Sequence, residues 1–276
     1  MAAYYNEIDP FVAAWLRNLI AAGLIAPGDV DERSIADVRP DDLRGYGQCH
    51  FFAGIGGWSY ALRLAGWDDA RPVWTGSCPC QPFSAAGKRQ AGADERHLWP
   101  AWLRLIRKRR PYRVFGEQVA GAVGLGWLDR VFADLEDEGY ACGAAVLGAH
   151  SVGAPHIRQR LFWVADAYRI GRDGSGPRRA GRNESADTSH ACRLGDAASE
   201  QVGRGGQPWA DGVWLRCLDG KARRVKPGIF PVADGVPAGM DGRGPVSRIG
   251  TLRGAGNAIV PQVAAEFIAA AAGWRP

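Results

Sequence analysis

In Pro79-Cys80-Gln81-Pro82, part of GSCPCQPFSAAGK, a thiol stands between a rigid proline and an amide on a stretch with almost no helical or strand propensity. Packing explains such a cysteine poorly. A loop position that substrate can reach suits a thiolate nucleophile. A second chemical element lies upstream, where Cys49-His50-Phe51-Phe52 runs into Ala53-Gly54-Ile55-Gly56-Gly57 and then into a helical pattern. Strand, glycine turn and helix in that order let backbone approach a nucleotide closely.

The elements that must position these residues follow from periodicity and punctuation. Phe11, Trp15, Leu16, Leu19 and Ile20 fall at helical spacing after Asp9-Pro10, an N-cap and first-turn proline, which predicts a helix over 11–22. Gly28-Asp29 closes the next turn, and Ser34 to Val38 reads as a short extended piece. Strands follow at 49–52, 72–76, 113–116, 144–147 and 161–165. Helices are predicted at 58–65, 98–108 and 128–138, and a terminal helix follows Gly256-Asn257-Ala258. Strands alternating with helices predict an α/β fold with a doubly wound, mainly parallel sheet. From 166 to about 206 the chain is Gly, Arg, Ser and Asp without periodicity and can bury little; residues 207–247 regain aromatics and short β-like pieces at 213–215 and 228–230. The expected organisation is a catalytic domain from 1–165 and 248–276 around a small, partly flexible region at 166–247.

Composition narrows the partner class. The chain has 276 residues, 34 Lys and Arg against 29 Asp and Glu, and 46% hydrophobic content. Most of the positive charge is arginine, which suits bidentate contacts with phosphate and guanine, so nucleic acid is the favoured partner. The six cysteines show neither zinc-site spacing nor the density of a disulfide scaffold, which predicts a reducing compartment and no metal. No apolar run reaches the ~20 residues of a membrane span, and MAAYYNEIDP does not read as a signal peptide, so a soluble, non-secreted protein is expected.

Five separated motifs carry a resemblance. FFAGIGG, SCPCQPFS, FGEQV at Glu117, GAPHIRQRLF with Arg158 and Arg160, and RGAGNAIVPQ with Asn257 resemble, in identity and order, the DNA cytosine-5 methyltransferase family of bacterial or phage type. The likeness covers almost all of 1–165 and 248–272, and leaves 166–247 as the region where that family reads its target. It implies a Rossmann-like sheet, S-adenosyl-L-methionine as cofactor, and methyl transfer to carbon 5 of cytosine in duplex DNA by base flipping and a covalent Cys80–C6 intermediate. A cytoplasmic, monomeric protein of restriction-modification or phage origin is the corresponding expectation. An RNA substrate, or a non-catalytic DNA-binding relative, are the alternatives.

The resemblance also distributes roles. Cys80 is the nucleophile, because a soft thiolate adds to C6 and leaves readily. Glu117 is the carboxyl group at N3 of the base, which a dry pocket can keep protonated. Arg158 and Arg160, two apart on an expected extended segment, point to one face and hold the base carbonyl, a phosphate or the Cys80 loop. Gln81, Ser84, Lys88, Arg89 and Arg96 fall in a glycine-punctuated loop suited to DNA phosphate contact and closure. Phe52, Gly54, Ile55, Gly56 and Gly57 line the donor site, with Pro79 near adenine and Asn257, Ala258 and Ile259 near the methionine end. His50, Gln118 and His156 depart from the residues common in the family.

One segment is out of its usual place. In the family a strand ending in an acid for the ribose hydroxyls follows the first helix, but here only Gly66 to Thr75 separates that helix from GSCPC. YYNEIDPFVAAWLRNL resembles the missing unit, with Glu7 as the ribose acid, Ile8 on adenine, and RSIADV as the next strand, where Ile35 backbone or Asp37 meets the adenine amino group. A permuted order is expected, with the second and third strands preceding the first. Residues 39–49 suffice to make the connection, since eleven extended residues reach about 35 Å.

Overall fold

The computed structural model describes residues 1–79, 98–154, 156–167, 213–216, 222–225 and 256–273. Seven strands form one sheet: β1 (Ala3–Asn6), β2 (Gly28–Asp31), β3 (Gln48–Phe51), β4 (Val73–Gly76), β5 (Arg113–Val119), β6 (Tyr140–Leu147) and β7 (Arg160–Ala167), in the spatial order β2-β1-β3-β4-β5-β7-β6. The first five are mutually parallel, while β7 runs antiparallel to both β5 and β6. A mainly parallel sheet is therefore correct, with an antiparallel edge.

Among the described residues five α-helices cover it: α1 (Pro10–Ala21), α2 (Gly57–Leu64), α3 (Trp99–Arg109), α4 (Trp127–Asp137) and α5 (Pro261–Gly273). Central parallel strands are apolar on both faces because helices cover both. Thus β1, β3 and β4 are buried along their whole length. On one face Tyr4, Phe51, Trp74 and Val114 join Trp99 and Trp102 of α3 and Val131 and Leu135 of α4. On the other, Trp58 and Leu62 of α2 meet Phe115, Phe162 and Phe267, and α1 lays Trp15, Leu16 and Leu19 over Tyr5. The Asp9 Oδ1 accepts from the Phe11 and Val12 amides, so the anticipated cap and proline start α1 as expected.

The third strand position differs from the sequence expectation. Ser34 to Val38 is a turn, in which the Ala36 amide donates to Ser34 Oγ and the Asp37 amide to Ser34 O. The strand is Gly28–Asp31, whose glycine and aspartates hid it. Pairing Ala3 with Gly28 brings backbones so close that a Cβ at Gly28 would lie 1.9 Å from the Ala3 carbonyl oxygen. Ile35 is buried in the core, so only its backbone remains for a donor contact. Residues 213–216 and 222–225 form a two-stranded antiparallel ribbon, as expected for 213–215; the piece at 228–230 lies outside the described residues.

Candidate active site

Open parallel sheets bind ligands outside the carboxyl ends of their strands. Here register defines which side chains arrive there. Tyr5, His50, Thr75 and Phe115 stand opposite one another across β1, β3, β4 and β5. Because side chains alternate, the residues two further on, Glu7, Ser77 and Glu117, continue the same face at the strand ends.

Glu7 follows β1, and its carboxylate is held at both oxygens. Oε2 accepts from the Gly54 amide at 2.8 Å and Oε1 from the Asp9 amide at 3.0 Å. A carboxylate offers about four lone-pair positions, so acceptor capacity remains for hydroxyls of a ligand. Gly54 has φ +54° and Gly56 φ +77°, the left-handed turn that glycine tolerates. A Cβ on Gly54 would meet nothing within 4 Å, which leaves open space above the turn, and Ile8 beside it is 65% exposed. Gly57 instead packs on Ile259: a Cβ there would lie 2.8 Å from that side chain. Asn257 is exposed nearby in sequence, and Ile55 is buried, offering only backbone. A glycine turn with open space above it, a carboxylate anchored to that turn and an exposed isoleucine fit a nucleoside-bearing donor.

The acid centre is Glu117, on β5. Its side chain is buried, and Arg160 Nε lies 3.0 Å from Oε1. Burial raises its pKa above the ordinary carboxyl range, opposed by Arg160, by a hydrogen bond from Ser77 and by the charge of Arg158. Gln118, one residue on and on the opposite face, donates from Nε2 to the Cys78 carbonyl at 3.0 Å. This replacement for the usual asparagine ties β5 directly to the residue before Pro79. Pro79 is exposed at the end of the described segment. Cys80, Gln81, Ser84, Lys88, Arg89 and Arg96 lie outside the described residues.

The two arginines do not share one task. Alternation requires extended backbone, and Arg158 has φ +31°, which removes it from that pattern. Arg160 reaches Glu117, whereas Arg158 Nη2 donates to the carbonyls of Gly256 at 2.9 Å and Ala258 at 2.5 Å. Arg158 thus grips both sides of Asn257 while its charge still acts on Glu117. Sequence spacing could not anticipate this, because its partners lie about a hundred residues away.

His50 departs from the family pattern for a structural reason. It is fully buried, stacked on Tyr5, with Nδ1 2.8 Å from Thr75 Oγ1 and Nε2 3.3 Å from Gln48 Oε1. Gln48 Nε2 donates to the Asp68 carbonyl, so its Oε1 accepts, which puts the His50 proton on Nε2. Burial lowers its pKa to about 3 and keeps it neutral.

Residues 72–170 match the family model of the C-5 cytosine-specific DNA methylase, a segment that contains Pro79, Glu117, Arg158 and Arg160. That segment is similar to the C-5 cytosine-specific DNA methylase family. The chain is 33% identical over 95 residues to the Type II methyltransferase M.AplI of Arthrospira platensis, covering 34% of this chain and 28% of that one. It is 26% identical over 162 residues to the Type II methyltransferase M.NaeI of Lentzea aerocolonigenes, covering 58% and 33%. The match therefore spans about a third or less of these relatives' length. A mutant DNMT2 of Spodoptera frugiperda aligns with TM-score 0.41 and 15% identity over 61% of this chain and 43% of that one. Among the described residues no helix is long and apolar enough to cross a membrane, and no group of side chains could hold a metal ion.

Proposed function

We propose that this protein methylates carbon 5 of cytosine in duplex DNA. The observation that carries the reading is Glu117: a buried carboxyl group with raised pKa, paired with Arg160 and tied through Gln118 to the strand that leads into Pro79-Cys80. S-adenosyl-L-methionine, when bound, supplies a methyl group on a sulfonium, an electrophile too weak for unactivated cytosine. The Cys80 thiolate activates the base by forming a bond to C6, which pushes electrons toward N3 and C5. Glu117 delivers a proton to N3 as that charge grows, so carbon 5 becomes enamine-like. After methylation, loss of the C5 proton to a base drives out the thiolate and restores the ring.

Arg160 holds the Glu117 carboxyl group toward the base, and Arg158 keeps the 256–258 segment against the same pocket. Glu7 accepts the ribose hydroxyls, Ile8 covers adenine, and the Gly54 turn brings backbone close to the donor. In this reading β1 and β2 occupy the places of the second and third family strands, a permuted order supported by the Glu7 to Gly54 contact. Residues 166–247 carry target recognition and, with the loop from Gln81 to Arg96, grip phosphate. The target base must leave the stack for its C6 to meet a thiolate, the route methyltransferases take.

The test is incubation with labelled donor and duplex DNA containing 5-fluorocytosine, in which the C5 fluorine cannot leave as a proton would. A covalent protein–DNA complex that disappears in Cys80→Ser is expected. Labelled RNA of the same sequence should trap nothing. Absence of the complex on every DNA tested, with the donor bound, refutes the reading.

A further inference from the structure

The residues around Glu117 include one to which the motifs above assign no role. Ser77 ends the segment from β4, and the parallel register that pairs Gly76 with Gly116 sets it beside Glu117. Trp58, from α2, donates its indole Nε1 proton to Ser77 Oγ at 3.1 Å. Trp58 is 3% exposed and packs nearly parallel to Phe115, with ring centroids 6.2 Å apart, so the indole has little freedom to turn elsewhere. An indole nitrogen can only donate. The serine oxygen therefore accepts on that side, which leaves its own proton for the other side, toward the Glu117 carboxylate that the register sets beside it.

We propose that Ser77, oriented by the Trp58 indole, is a positioning residue that aims the Glu117 carboxyl group at the target base. The proposal rests on the methyltransferase reading for the base, but the relay itself needs neither donor nor DNA. Arg160 holds one carboxyl oxygen from β7, Arg158 adds positive charge, and Ser77 supplies the contact from β4. A cation alone fixes charge poorly in direction, whereas a hydroxyl with a single proton fixes a line. The relay also opposes burial: Ser77 favours the ionised carboxylate, so its loss must raise the Glu117 pKa further. Trp58 lies directly after the Gly56-Gly57 turn, so the same helix start that frames the donor site sets the acid.

The experiment is a titration of ¹³C-glutamate-labelled protein by NMR, with the Glu117 signal assigned from Glu117→Gln, in wild type, Ser77→Ala, Ser77→Thr and Trp58→Phe. Thermal unfolding reports that each variant is folded. The Glu117 midpoint is expected to move up in Ser77→Ala, return toward wild type in Ser77→Thr, and move up less in Trp58→Phe, which keeps an aromatic ring beside Phe115 and removes the N–H. The alkaline limb of methyl transfer should move the same way as its maximum falls. A midpoint unmoved in both Ser77→Ala and Trp58→Phe overturns the relay. Movement in Ser77→Ala alone overturns the part assigned to Trp58. Because the titration needs no turnover, it stands apart from the wild-type methyl-transfer assay, whose failure would refute the methyltransferase reading alone.

Discussion

Glu7 Oε2 accepts a hydrogen bond from the Gly54 amide across forty-seven residues of sequence, joining the first strand of the chain to the glycine turn after the third. The bond makes the N-terminal strand part of the structure around the glycine turn, and so of the donor site in the function proposed.

Glu7→Gln keeps the size but loses the charge and one acceptor, and Glu7→Ala loses both contacts. Hydrogen bonds to charged groups contribute about 1.5–3 kcal/mol each, so Glu7→Ala should weaken donor binding by at least about tenfold. Isothermal calorimetry with S-adenosyl-L-methionine measures it, and unchanged affinity would remove Glu7 from the site.

Arg158 should act on the donor side more than on the base. Arg158→Ala frees the carbonyls of Gly256 and Ala258, which this guanidinium alone is shown to bind among the described residues. Expected is a rise in the KM for donor of roughly tenfold, about 1.4 kcal/mol, with DNA affinity at saturating donor nearly unchanged. Arg160→Ala should do the reverse, lowering kcat with little change in donor KM, because its partner is Glu117.

His50 gives the fold an acid sensitivity with a definite sign. An unfolded histidine titrates near 6.5, whereas the buried ring titrates near 3, burial being the main cause and Asp69 opposing it weakly. Above pH 6.5 both states are neutral and the full stability is present. As pH falls from 6.5 toward 3 the unfolded chain takes up a proton that the folded ring refuses, and stability falls by up to about 1.4 kcal/mol per unit. Denaturant midpoints measured from pH 7.5 to 5 should show this slope in wild type and a flatter one in His50→Gln.

Gly116 is set by packing. A Cβ there would lie 2.0 Å from the Trp163 ring, and Trp163 belongs to the cluster with Trp99 and Trp102 behind the site. Gly116→Ala should cost about 1–3 kcal/mol or more by overpacking. Gly143→Ala, whose Cβ would meet only Val164 at 3.8 Å, is the matched control and should change little. Urea unfolding of the two variants decides it.

The linear chain determined the chemistry it could carry and most of the elements. Asp9-Pro10 starts α1, the GIGG turn joins β3 to α2, and Glu117 follows the apolar Val114 and Phe115 in β5, because caps, glycine turns and apolar runs are local signals that need few distant partners. It did not reveal β2, whose glycine and aspartates oppose strand propensity until β1 pairs with them. Nor could spacing separate Arg158 from Arg160, since one positive φ breaks the alternation and sends the first to a segment a hundred residues away. His50 looked like an unexplained departure from the family pattern until Tyr5, Thr75 and Gln48 closed around it. Which residue types exist, and at what spacing, is a property of sequence; which of them share a hydrogen bond depends on register between strands, and only the folded sheet sets that.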